Sequence, residues 1–155
     1  MKAKEYLDYI LNMNLGAGQK NYFTCLSLYG KEYVKRCDSE TINTYSIINS
    51  PVKKECFKNS LLLALWCPEI EYVEGYYVFD DIQIPFEHAW NLKGEEIIDT
   101  TANLLSGEVI EYFGMVVPKD VLKEFVKTDQ QVTALQYYLI KNGKIILKDK
   151  TDETV

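Results

Sequence analysis

Three residues far apart in this chain have the types that thiol-based acyl chemistry requires: Cys56, His88 and Asp99. In such chemistry a cysteine thiolate attacks a carbonyl carbon and an imidazole moves the proton. A carboxylate holds the imidazole in one tautomer and orientation. His88 is the single histidine, so any imidazole chemistry belongs to it. It opens the stretch His88-Ala89-Trp90-Asn91-Leu92-Lys93-Gly94-Glu95-Glu96-Ile97-Ile98-Asp99. Phe86, His88, Trp90 and Leu92 alternate with Glu87, Ala89 and Asn91, the period of a half-buried strand. Beyond Lys93-Gly94, Ile97 and Asp99 alternate with Glu96, Ile98 and Thr100. A two-residue loop at Lys93-Gly94 sets Leu92 opposite Glu95, Trp90 opposite Ile97 and His88 opposite Asp99. Facing Cβ atoms lie about 4.5–5.5 Å apart, near enough for a carboxylate to bond an imidazole. A loop longer by two residues shifts the pairing but keeps both side chains on one face.

The nucleophile must come from elsewhere, and Cys56 is the best placed. It precedes the apolar run Leu61-Leu62-Leu63-Ala64-Leu65-Trp66, which Pro51 and Pro68 bound. This run reads as a buried helix, too short to cross a bilayer. Cys56 falls in the first turn or two, where unpaired N–H groups and the positive dipole end stabilise a thiolate. Lys53, Lys54 and Lys58 act in the same sense. Cys67 lies at the other end of that helix, where the dipole opposes a thiolate. Cys25 falls on an apolar helical stripe and reads as a buried structural thiol.

The rest of the chain must position these groups. At 155 residues it is long enough for one domain with a real core, here set at 1–148 with a flexible tail at 149–155. A net charge of −6 argues against nucleic acid, whose phosphates need a basic face. No Cys-x-x-Cys pair occurs, and one histidine is poor support for a zinc site. The first fifteen residues carry Glu5 and Asp8 and lack a signal-type apolar core. Together these point to a cytoplasmic protein with reduced thiols, bound to no membrane, its oligomeric state open.

In order, residues 2–13 and 19–35 carry helical stripes, and 37–50 reads as a long loop with a short strand near 45–48. Strands follow near 70–79, 85–92, 95–101 and 109–117, with Gly75 marking a bulge or a close backbone approach. Pro118 opens a helix running through Val126. Residues 133–140 fit either helix or strand, and 144–148 fits a closing strand. Helices followed by a meandering antiparallel sheet of four to five strands define an α+β fold.

The order Cys56, then His88-x-Trp90, then Asp99 beyond a short hairpin resembles the core of transglutaminase-like enzymes within the papain-like superfamily. The His88-Ala89-Trp90 string, followed by Ile97-Ile98-Asp99-Thr100, is the closest local match. Cys56-Phe57-Lys58-Asn59, Tyr72-Val73-Glu74-Gly75-Tyr76 and Tyr112-Phe113-Gly114 resemble segments of small bacterial and phage proteins. The resemblance spans residues 51–115. It implies a cysteine at a helix start packed against an antiparallel sheet that carries histidine and aspartate on adjacent strands. It also implies hydrolysis or transfer of acyl groups at amide, isopeptide or ester bonds through a thioester, without metal or cofactor. Cys56 is then the nucleophile, His88 the general base and acid, and Asp99 the residue that orients it.

Two family features are missing. No glutamine stands shortly before Cys56, Gln19 being the sole upstream one, and Thr100 replaces the proline usual after the aspartate. The Cys56 N–H supplies one oxyanion donor and the second is unassigned. Asn59 reads as a surface or capping group within reach of substrate. Trp90 shares the His88 face and reads as a core residue before a ligand contact, and Glu74 and Tyr76 share one strand face within reach of the cleft. The substrate expected is a peptide, a protein or a small amide. Two alternatives stand beside the enzyme. One is a non-catalytic binding protein on the same scaffold, such as a phage protein that blocks a host factor. The other is a metal site built from Cys56, His88 and Asp99.

Overall fold

The computed structural model describes residues 2–13, 15–82, 84–104 and 107–143. Its centre is the strand Ile70–Phe79 (β2), a run of β-branched and aromatic residues buried along nearly its whole length. On one side it pairs with Phe86–Lys93 (β3), which pairs in turn with Glu96–Ile98 (β4). On the other it pairs with Val109–Val117 (β5), and β5 pairs with Lys31–Tyr33 (β1). Every pairing is antiparallel and the order is β1-β5-β2-β3-β4. The α+β architecture with an antiparallel sheet is as the sequence indicates.

Helices cover one face. Ala3–Ile10 (α1), Ala17–Tyr29 (α2), Cys56–Trp66 (α4), Lys119–Phe125 (α5) and Ala134–Lys141 (α6) bring Leu7, Leu26, Leu61, Leu122 and Leu135 against Tyr72, Tyr76 and Phe113. The other face gathers Tyr33, Val73, Tyr77, Trp90, Ile97 and Tyr112 into a second core. A third cluster, with Leu63, Cys67, Ile70 and Ile98, joins the far end of α4 to the sheet and to Ser39–Asn49 (α3). Alternation in β2 therefore divides two cores rather than core from solvent, which is why the strand reads as continuously apolar.

Several expectations are corrected. Residues 37–50 are not a loop: Asp38 caps α3 by accepting the Thr41 N–H at 2.7 Å, and Tyr45 and Asn49 face inward. Thr41, Ile42, Thr44, Ile47 and Ile48 are β-branched and weak helix formers, so the cap and the packing decide the matter. The second helix stops at Tyr29, Gly30 caps it, and β1 begins two residues later. Pro118 is the cap of α5 rather than its first helical residue. Residues 133–140 resolve as helix, opened by a Thr133/Gln136 capping box. The strand expected at 144–148 and the tail at 149–155 lie outside the described residues.

Gly75 is the close backbone approach that the sequence marks. It pairs with Gly114, and a Cβ on it would stand 2.0 Å from the Phe113 carbonyl oxygen. A Cβ on Gly114 would come within 2.8 Å of the Trp90 ring. No helix among the described residues is long and apolar enough to cross a membrane.

Candidate active site

The His88 hairpin turns one residue later than expected. Lys93 faces Glu96, Leu92 faces Ile97 and Asn91 faces Ile98, so the loop is Gly94-Glu95. Gly94 takes φ +64°, the left-handed conformation such a turn needs, and Lys93 stays in the strand. In this register the continuation of β4 sets Asp99 across from Trp90, diagonal to His88 and on the same face. Both side chains span the diagonal: His88 Nε2 lies 2.7 Å from Asp99 Oδ2. The predicted partnership stands and the predicted register does not.

Asp99 is almost wholly buried and its carboxylate is fully engaged. Oδ2 accepts the Tyr112 hydroxyl at 2.9 Å as well as the imidazole. Oδ1 accepts the Ala102 N–H at 2.9 Å, opening the short 3-10 turn Ala102–Leu104. Burial pushes the Asp99 pKa up, but the His88 charge and these hydrogen bonds outweigh it and hold the pKa below the ordinary value. Burial pulls the other way on His88, which is 1% exposed. The Asp99 charge and hydrogen bond, helped by Cys56, overcome it and raise the imidazole to about 9. His88 is therefore held as an imidazolium at neutral pH.

Cys56 is the first residue of α4, and its side chain lies close enough to His88 to stabilise the protonated ring. Because Nε2 is taken by Asp99, Nδ1 is the ring nitrogen left for the thiol. Cys25, Cys37 and Cys67 are buried, whereas Cys56 is partly exposed. The first N–H groups of α4 have no partner within the helix, so the Cys56 amide is available to a developing oxyanion.

Asn59 ties this turn to the Asp99 turn. Its Nδ2 donates to Val52 O and to Thr101 Oγ1, both at 2.8 Å, and its Oδ1 accepts the Val52 N–H at 3.0 Å. Asn49 repeats the device, donating to Asn59 O at 3.2 Å and to Thr100 Oγ1 at 2.9 Å. Both amides are buried. Asn59 is thus a clamp between the Cys56 and Asp99 segments, with no carboxamide atom free for substrate. Thr100 serves as the acceptor for Asn49.

The other substrate-side candidates are core residues. Glu74 (0% exposed) and Tyr76 (6%) point into the helix-covered face, away from His88. Trp90 is fully buried, 6.0 Å from the His88 ring and near parallel to it, and edge-on to Tyr112. Two neighbours of His88 escape a reading by motif. Tyr77 stacks on the imidazole with centroids 3.8 Å apart and planes 7° apart. Tyr112 bonds the carboxylate, and Arg36 lies over the Tyr112 ring at 5.5 Å. Their signal was parity alone: Tyr77 and Tyr112 share a face with Gly75 and Gly114, whose missing side chains leave space around His88 and Trp90.

Among the described residues no group of three or more histidine, cysteine, aspartate or glutamate side chains is arranged to hold a metal ion. His88 Nε2 is already bonded to Asp99 Oδ2. No family model, curated protein or solved structure matches this chain.

Proposed function

We propose that this protein is a cysteine-dependent hydrolase or acyltransferase acting on an amide, isopeptide or ester bond in a peptide, protein or small conjugate. The observation that carries the reading is the buried His88–Asp99 pair, 2.7 Å apart, beside the one cysteine that is not buried. Cys56 sulfur, as thiolate, attacks the carbonyl carbon, and the C=O electrons move to oxygen beside the Cys56 N–H. His88 gives its proton to the leaving amine or alcohol as the C–N or C–O bond breaks, leaving a thioester. Water or an acceptor amine then attacks, His88 takes its proton, and the thiolate leaves. Asp99 keeps the ring oriented throughout and favours its charged form. The order of Cys56, His88 and Asp99 in the sequence resembles that of transglutaminase-like enzymes, and a thiol of this kind suits the reducing cytoplasm.

The test is a panel of acyl and electrophilic probes followed by intact mass. One covalent adduct on Cys56, absent from Cys56→Ser and slowed in His88→Ala, supports the proposal. Equal, slow modification of all four cysteines overturns it.

A second reading, a non-catalytic binding protein, is favoured by Ile82, Ile84 and Phe86, which expose large apolar surface just before His88. It predicts that Cys56→Ala leaves partner binding intact and removes no activity.

A further inference from the structure

The first turn of α4 borders more than the thiol. Phe57, which directly follows Cys56, lines a cavity of about 400 Å³ with Leu61 one turn on, Tyr72 of β2 and Phe125 of α5. Val132, in the segment joining α5 to α6, and Ala134, the first residue of α6, complete its apolar lining. This volume lies in the range of pockets that enclose small ligands.

The lining is graded. Leu61, Tyr72, Phe125 and Ala134 are buried, so rings and aliphatic groups form the bottom. Gln130, Gln131 and Lys58 are exposed and form the mouth. Among the described residues no carboxylate lines it, although the chain carries a net charge of −6, and its one charge is the Lys58 ammonium. Such a space takes an apolar group and repels a cation. Carboxamides at the mouth, each both donor and acceptor, suit the amides that flank a side chain in a peptide.

The cavity is preformed. Glu74 Oε2 accepts the Tyr72 hydroxyl at 2.8 Å and the Leu135 N–H at 2.7 Å, tying β2 to the start of α6 across it. The Thr133/Gln136 capping box holds the same helix start. Gln130 keeps φ +54°, a left-handed conformation uncommon for a residue with a side chain, and its N–H donates to the Thr128 hydroxyl at 3.2 Å. Backbone strain of this kind gathers at ligand clamps.

Cys56 lies near both this cavity and the imidazole. Its charge is felt at Tyr72, which lines the cavity, and at Tyr77, which stacks on His88. The far wall, from Phe125 to Gln136, falls outside residues 51–115 and is therefore this chain's own construction rather than part of the resemblance.

Resting on the reading of Cys56 as an acyl-transfer nucleophile, we propose that this cavity receives the side chain of the acyl half of the substrate, an aromatic or large aliphatic residue whose own carbonyl Cys56 attacks.

N-acetyl-amino-acid p-nitrophenyl esters test this on the full chain. Cys56 sulfur bonds the acyl carbon, the C–O bond breaks and p-nitrophenolate leaves, so acylation is read by absorbance and by intact mass. Each rate is divided by that of the same ester with free cysteine. The phenylalanine and leucine esters should acylate Cys56 about tenfold or more faster than the glycine ester, with the lysine ester no faster than glycine. Val132→Trp, which fills the cavity, should bring the phenylalanine-to-glycine ratio below about threefold. Should that variant fail to fold, Val132→Ala, which enlarges the cavity, must move the preference toward the tryptophan ester. Equal rates for all esters, a lysine ester that matches phenylalanine, or an order unchanged in the deciding variant overturns the pocket and leaves the acyl-transfer reading in place. No acylation of Cys56 by any ester removes both.

Discussion

Asp99 Oδ2 accepts two hydrogen bonds at once, from His88 Nε2 at 2.7 Å and from the Tyr112 hydroxyl at 2.9 Å. With Oδ1 held by the Ala102 N–H, the carboxylate cannot rotate without breaking a bond to β3, to β5 or to its own turn. Tyr112 is thus a positioning residue that acts through Asp99. Replacing Tyr112 by Phe removes one charge-assisted bond, a loss of about 1.5–3 kcal/mol of stability by urea unfolding. Cys56 alkylation should slow severalfold in the same variant. If Tyr112 only fills space, stability drops and the alkylation rate of the folded fraction stays put.

Having one histidine makes the electrostatics directly observable. The ring-nitrogen resonances of His88 should titrate near pH 9 in the wild type. In Asp99→Asn the Asp99 charge is gone while burial and Cys56 remain, so the titration should move well down from that value. A titration near 6.5 in both proteins would mean that Asp99 does not govern the ring.

The same pair sets a pH window for stability. The folded-state pKa of His88 is raised, so its contribution is complete below about pH 6.5 and is lost as pH rises through about 9. Melting temperature should accordingly fall between those values in the wild type, and this fall should be absent from His88→Gln.

Among the four cysteines, Cys56 alone combines partial exposure with a neighbouring imidazolium. Limited iodoacetamide near neutral pH should label Cys56 first, by at least tenfold over the others, and His88→Ala should reduce that lead. Peptide mapping checks both. Cys25, Cys37 and Cys67 should react only as the protein unfolds, with a rate that follows urea concentration.

What could be read in advance follows physical lines. The strands from Ile70 to Val117 were legible because aromatic and β-branched residues cluster between turn residues, and period two is insensitive to small loop errors. That insensitivity is why the His88–Asp99 partnership survives a hairpin that turns at Gly94-Glu95. Helix α3 was hidden because Thr and Ile weaken local helical preference, and only its Asp38 cap and its packing hold it. Asn59 reads as a surface group in the sequence because its partners, Val52 and Thr101, lie in irregular segments without a period. Glu74 and Tyr76 share a strand face as expected, but whether a face borders a cleft or a helix layer is a tertiary fact. Helices from both ends of the chain cover that face.

The Asn59 clamp offers the most demanding check, because it makes the Cys56 and Asp99 segments depend on each other. Its carboxamide bridges Val52, four residues before Cys56, and Thr101, two after Asp99. Asn59→Ala should cost about 3 kcal/mol, since it leaves the Val52 N–H and the Thr101 hydroxyl to find other partners away from water. Thr101→Val should cost less alone, and the double variant less than the sum, with a coupling of about 1 kcal/mol in a urea-unfolding cycle. The reactivity of Cys56 should fall in either single variant while it remains folded. Additive energies with an unchanged thiol would mean that the two turns are merely adjacent and that alignment of sulfur, ring and carboxylate is set elsewhere.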